Sequence, residues 1–207
     1  MRCSLIFFLS VLSLTCAAPR KTDDEIIAQF FSYARTIRDI EIHNMAYLTH
    51  KFVQSTVDSV PEENRGPITA DFQNYANRGK DVLKQGTTRM KYAYIENMSN
   101  TLEEVKKKLS ETPESQSIVK SLLGLMGLAM ELAEEDSKFT TNFVEGAAQM
   151  KEKLSPTTIA QQSELFNAIE KYERSDLPQH EHLFDEFLSL ENFLSFCNQQ
   201  QKMKAFK

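Results

Sequence analysis

The residues with the most chemistry to offer are four histidines, His43, His50, His180 and His182. His43 and His50 lie seven apart, so on a helix they share a face but stand two turns from one another. Helical metal ligands converge at spacings of three or four, as in H-E-x-x-H, which is absent here. His180-Glu181-His182 is followed by Asp185 and Glu186. Only His182 and Glu186 have ligand spacing, and a pair is not a complete set. No E-x-x-H of the di-iron bundles, no glycine-rich phosphate loop and no G-x-S-x-G elbow occurs. Cys197 has no histidine near it in sequence to act as its base. The residues therefore give no catalytic, cofactor-binding or metal-binding set, and the expectation is a protein that is not an enzyme.

The start of the chain reads as a leader. Arg2 supplies positive charge, Ser4 to Leu14 is an apolar run, and Thr15-Cys16-Ala17 fits a small-x-small cleavage site. Residues 1–17 are read as a signal peptide and 18–207 as one domain. The apolar run is short for a membrane span, which needs roughly 20 residues. Cleavage leaves Cys197 as the mature chain's one cysteine, so no internal disulfide framework is available and a core must supply the stability. Cys197 itself could pair between chains or pack as a small apolar residue. In a secreted chain the sequon Asn97-Met98-Ser99 makes Asn97 a glycosylation candidate.

The net charge of −5 becomes slightly more negative once Arg2 is removed. An acidic surface repels phosphate backbones, so nucleic acid is not an expected partner. Lys106-Lys107-Lys108 is balanced by Glu103-Glu104 one turn earlier, and reads as a solvated helix face.

These residues must be positioned by helices. Apolar residues recur at gaps of three and four between prolines at 61, 67, 113, 156 and 178. Thr22 and Glu25 form a capping box that opens a first helix running to about Val60. A second helix extends from Ile68 to Leu109 with near-heptad spacing, a third from Pro113 to Leu154, a fourth from Pro156 to Tyr172, and a fifth from Leu183 to Cys197. The first three have similar lengths and the last two together match them. The expected fold is all-α: an elongated antiparallel bundle of four arms, the last broken near Pro178.

The segment Ser121 to Leu132, SLLGLMGLAMEL, is apolar on every side of a helix and uncharged until Glu131. Such a segment is ordinarily buried all round, and the apolar fifth helix is its expected cover. Gly79, Gly86, Leu122, Gly124, Leu125, Gly127, Phe187 and Leu194 are accordingly the candidates for close helix packing or for lining an apolar ligand. Two functional classes follow. One is a secreted protein that presents helix faces to an extracellular protein partner. The alternative is an extracellular carrier of lipid or another apolar ligand. A third reading is a membrane-active protein that exposes Ser121 to Leu132. No transmembrane segment is expected in the mature chain. Ligand identity and oligomeric state are open at this point.

Overall fold

A computed structural model of the chain describes residues 21–176 and 179–191. The proposed leader, Pro178, Leu194 and Cys197 lie outside the described residues. What is described is helical throughout, with no strand: an all-α bundle.

Helix α1, Asp23–Asp58, opens on the expected capping box, with Thr22 accepting from the Glu25 amide and the Glu25 carboxylate accepting from the Thr22 amide. After one 3-10 turn, Glu62–Asn64, helix α2 spans Pro67–Gln85 with proline at its first turn. Helix α3 is Thr88–Lys108, α4 is Pro113–Leu122 and α5 is Leu125–Lys153. Helices α6, Pro156–Gln161, and α7, Ser163–Glu173, precede a last helix, α8, over 179–191.

Three expected helices are divided. The second ends at Gly86, whose amide closes the last turn onto the Val82 carbonyl at 2.7 Å before the backbone turns extended. Thr87 then caps α3 by accepting from the Met90 amide. The heptad-like spacing of Gly79, Val82, Gly86 and Met90 concealed this stop-and-start pair. The third relaxes at Leu123-Gly124, where the Gly124 amide bonds to the Ser121 carbonyl, three residues back instead of four. The fourth is interrupted at Gln162.

Helices α1 and α5 form the antiparallel spine. Tyr33 donates to the Asn142 carbonyl, Asn44 donates to Glu135 at 2.7 Å, and Phe52 lies against Gly124. Two hairpins cover this spine, each about half its length. The α2–α3 hairpin covers the second half of α1. Its turn reaches the middle of the spine, where Thr88 donates to Asp39. The α7–α8 hairpin covers the first half of α1 and the second half of α5.

The core divides in the same way. One part is aromatic and joins Phe30 and Phe31 of α1, Phe139 and Phe143 of α5, Tyr172 of α7, and Phe184 and Phe187 of α8. Its rings meet edge-on and offset, with Phe143 and Phe187 centroids 5.0 Å apart. The other part is largely aliphatic and joins Val53 and Val57 of α1, Ile68 and Phe72 of α2, Met98 and Val105 of α3, and Ile118 of α4. One carboxylate ties the far end of this second core together. Glu114 Oε1 accepts from the Gly66 amide, the Thr69 amide and the Thr69 hydroxyl, each at 2.7 Å. A side chain at the start of α4 thus caps the start of α2.

Candidate interaction surface

The segment from Ser121 to Leu132 is not enclosed. Only Leu128 in it is buried, and Leu122, Leu125 and Leu132 are half-buried. Leu122 and Leu125 rest against the aliphatic core. Leu123 is 79% exposed, Met126 73% and Met130 69%, and Val119 one turn earlier is 47% exposed. The expected cover lies elsewhere. Helix α8 runs parallel to α5, with His180 beside Asp136 and Phe187 against Phe143. It leaves the middle of the spine and travels away from residues 119–130. The described part of the last arm does not reach Ser121 to Leu132 because it folds back at mid-length instead of spanning the bundle.

The four exposed residues are spaced i, i+4, i+7 and i+11. At 3.6 residues per turn they form one stripe, turned directly away from the face that holds Leu128, Phe139 and Phe143. Farther along α5 the same outward line continues as Glu134, Ser137, Thr141 and Glu145, all exposed. The outward face is thus polar over one half of the helix and apolar over the other. Pro113–Lys153 forms one near-continuous helical run, and it is long and apolar enough to cross a membrane by length and composition. Only 11% of its most apolar 18-residue window is buried. At its α4 end the stripe runs into a shallow groove of about 400 Å³ formed by Leu109, Gln116, Val119 and Leu123 with Lys120 at the edge.

The glycine candidates separate by surroundings. A Cβ on Gly79 would lie 2.3 Å from the Tyr94 hydroxyl, so Gly79 leaves room on α2 for the Tyr94 ring of α3. There Tyr75 and Tyr94 stack at 4.5 Å, and the Tyr75 hydroxyl donates to the Tyr94 carbonyl. Gly86 is not in a helix–helix contact: its Cβ would strike its own helix at the Val82 carbonyl, 2.5 Å away. Gly124 meets Phe52 of α1 and not the last helix, and Gly127 faces open space beside the stripe. Phe187 is fully buried in the aromatic core, at the opposite end from the stretch it was expected to cover.

A second feature, a polar layer where the two hairpins meet, was not foreseen. Arg38, 7% exposed, donates to Glu41 at 2.6 Å and to Glu181, and its guanidinium lies over the Phe139 and Phe184 rings. His180 is buried. Its Nδ1 lies 2.8 Å from Asp136, its Nε2 faces the Ser175 carbonyl, and its ring stacks on Tyr172. Glu41 has one buried carboxylate oxygen without a partner. Burial pushes its carboxyl up to about 7 against the opposing pull of Arg38. For Glu114 burial also acts upward, but the Thr69 and Gly66 donors outweigh it and hold the carboxyl below its ordinary range. Each charged group in the layer is held by a neighbour, and no nucleophile stands beside a base. The signal for the layer was present in sequence as the i, i+3 pair Arg38 and Glu41, on an otherwise apolar face.

The remaining sequence candidates are on the surface. Asn97 is exposed on α3, its side-chain amide donating to the Ala93 carbonyl. His182 lies 3.1 Å from Glu186. Among the described residues no group of three His, Cys, Asp or Glu side chains is placed to hold a metal ion. His43 is exposed and His50 half-buried, both on α1. Comparison with protein-family models, with curated proteins and with solved structures finds no match to this chain.

Proposed function

We propose that this chain is a secreted, non-enzymatic helical-bundle protein that acts through protein–protein contact, with Val119, Leu123, Met126 and Met130 at the centre of the contact surface. The observation that carries the reading is the exposure of all four on one line, where the same line farther along α5 is polar. Contiguous exposed apolar patches on soluble proteins mark binding surfaces. The residues around the stripe favour protein over membrane. A helix lying in a lipid interface carries Lys and Arg beside its apolar face. This stripe is bordered by Gly127, Ala129, Glu131 and Glu134, the last of them paired with Lys138 at 2.8 Å, and by Lys120. The signal-peptide pattern supports export, and the exposure of Asn97 supports a glycan on α3.

The alternative, a carrier of lipid or another apolar ligand, draws on the low burial of the 18-residue apolar window. Native mass spectrometry of protein taken from its own secreted fluid separates the two. The expected mass is that of a lipid-free chain or protein assembly that begins near Ala18 and carries glycan at Asn97. A stoichiometric co-purified lipid would replace the contact reading with the carrier reading.

A further inference from the structure

We infer that the partner of the stripe is the same stripe on a second copy of the chain, paired antiparallel about a two-fold axis. The inference rests on the reading of the stripe as a protein-contact surface and names its occupant. The spacing of Val119, Leu123, Met126 and Met130 is that of alternating core positions in a coiled-coil seam. In an antiparallel pair those positions meet in layers. One register satisfies all four at once: Leu123 opposite Met126 of the other copy, and Val119 opposite its Met130. Because the pairing is symmetric, each layer occurs twice, as an isologous interface requires.

The flanks agree with that register. On one side, Lys120 of one copy falls level with the other copy's Ala129 and leans toward its Glu131 and Glu134, since helical side chains tilt toward the N-terminus. Gly127, whose Cβ would meet nothing within 4 Å, leaves room there for the lysine stem. On the other side, Leu122 meets Ala129 of the second copy, apolar on apolar. The groove formed by Leu109, Gln116, Val119 and Leu123 lies where Met130 of the second copy would enter. A parallel pair would set the flank of Lys120 against the other copy's Leu122 and Ala129, which leaves the lysine without an acidic partner, so charge selects the antiparallel arrangement. The seam is about 18 Å long at 1.5 Å per residue, which is short for a permanent dimer. The association is therefore reversible.

Sedimentation velocity over a concentration series of the mature chain tests this. The expected result is a monomer–dimer equilibrium that Leu123→Lys with Met126→Lys weakens at least tenfold, at unchanged circular dichroism. Lys120→Glu should weaken it as well, and Lys120→Glu combined with Glu131→Lys and Glu134→Lys should restore it. In a Cys197→Ser background, a mixture of Leu123→Cys and Met126→Cys chains should form a disulfide-linked pair faster than either chain alone. Faster self-linkage of one chain would overturn the antiparallel register. A dimer indifferent to the lysine substitutions would overturn the surface. A chain that stays monomeric at all concentrations would overturn the second copy as occupant. Phosphatidylcholine–phosphatidylserine vesicles then separate the two failures. Stripe-dependent binding to them would remove the protein-contact reading too, and no binding would remove only the second copy.

Discussion

The two halves of α5 carry equally apolar inner faces and opposite outer ones. From Asp136 onward the helix is covered by α1 on one side and by the α7–α8 hairpin on another. Its outward residues, Ser137, Thr141 and Glu145, are polar. From Leu125 to Met130, with α4 leading into it, α1 and the α2–α3 hairpin cover one side only, and the outward residues are apolar. The number of helices within reach decides burial here, not the hydrophobicity of the segment. A four-arm bundle with full-length arms would have buried both halves. This chain folds its second and fourth arms into half-length hairpins, so each stretch of the spine receives one hairpin. The α2–α3 hairpin leaves the outer line of residues 119–130 uncovered.

The polar layer holds the two halves in register, and breaking it has the largest expected effect. Arg38 bridges Glu41 and Glu181. Arg38→Ala leaves Glu41 buried beside no positive charge, and the expected loss is about 3–5 kcal/mol in a denaturant titration. Replacing the pair together, Arg38→Met with Glu41→Leu, should recover most of that loss, because the desolvated charges leave together. If the single and double variants are equally unstable, the layer acts through packing alone.

Next in size is the inner face of the half-covered region. Leu128 is buried on the inner face of this half, and Leu128→Ala should cost about 2–4 kcal/mol, read as a lower midpoint at unchanged m. A loss under about 0.5 kcal/mol, the range of surface substitutions, would show that this half of α5 is loosely held on both faces.

The two buried carboxylates sharpen the comparison through pH. Glu41 sits in the middle layer with its folded pKa raised, so the folded state holds its proton above the pH at which the unfolded chain releases it. Its contribution is fully present below about 4.5 and is lost as pH rises toward 7. Glu114 sits at the far end with its folded pKa lowered. Its contribution is present above about 4.5 and is lost as pH falls below that. Glu41→Gln should flatten the decline between pH 4.5 and 7, on the order of 1–3 kcal/mol. Glu114→Gln should flatten the acid limb, by a smaller amount. Urea midpoints measured from pH 3 to 8 check both signs, and an unchanged slope in either variant would remove that carboxylate from the account.

Much of this arrangement could be read from the sequence. The all-α class, the capping box at Thr22 and the proline-led starts at Thr112 and Ser155 are local signals, and local hydrogen bonds decide them. The division of the second arm at Gly86 was not legible, because the apolar period ran through the break without losing phase. The fate of residues 119–130 was not legible either. Two apolar faces on one helix predict two partners, and which partner is present depends on where a distant arm turns back. His180 was hidden for a related reason. Its burial needs Asp136, 44 residues away, and Tyr172 across a turn.

The smallest expected effect is the most discriminating. Leu123→Ser and Met130→Ser remove large apolar side chains that touch little within their own chain, both being more than two-thirds exposed. In a buried setting such changes cost several kcal/mol. Here each should move the unfolding free energy by no more than about 0.5 kcal/mol, provided the protein is dilute enough to be monomeric. Raising the concentration supplies the contrast. A partner that binds only the folded chain stabilises it by mass action. The wild-type melting temperature should therefore rise with protein concentration, and that of the serine variants should not. Variants less stable than the wild type by the same large amount at every concentration would place Leu123 and Met130 in a core. Equal stability at every concentration, with no upward trend for the wild type, would leave the stripe without a second copy to cover it.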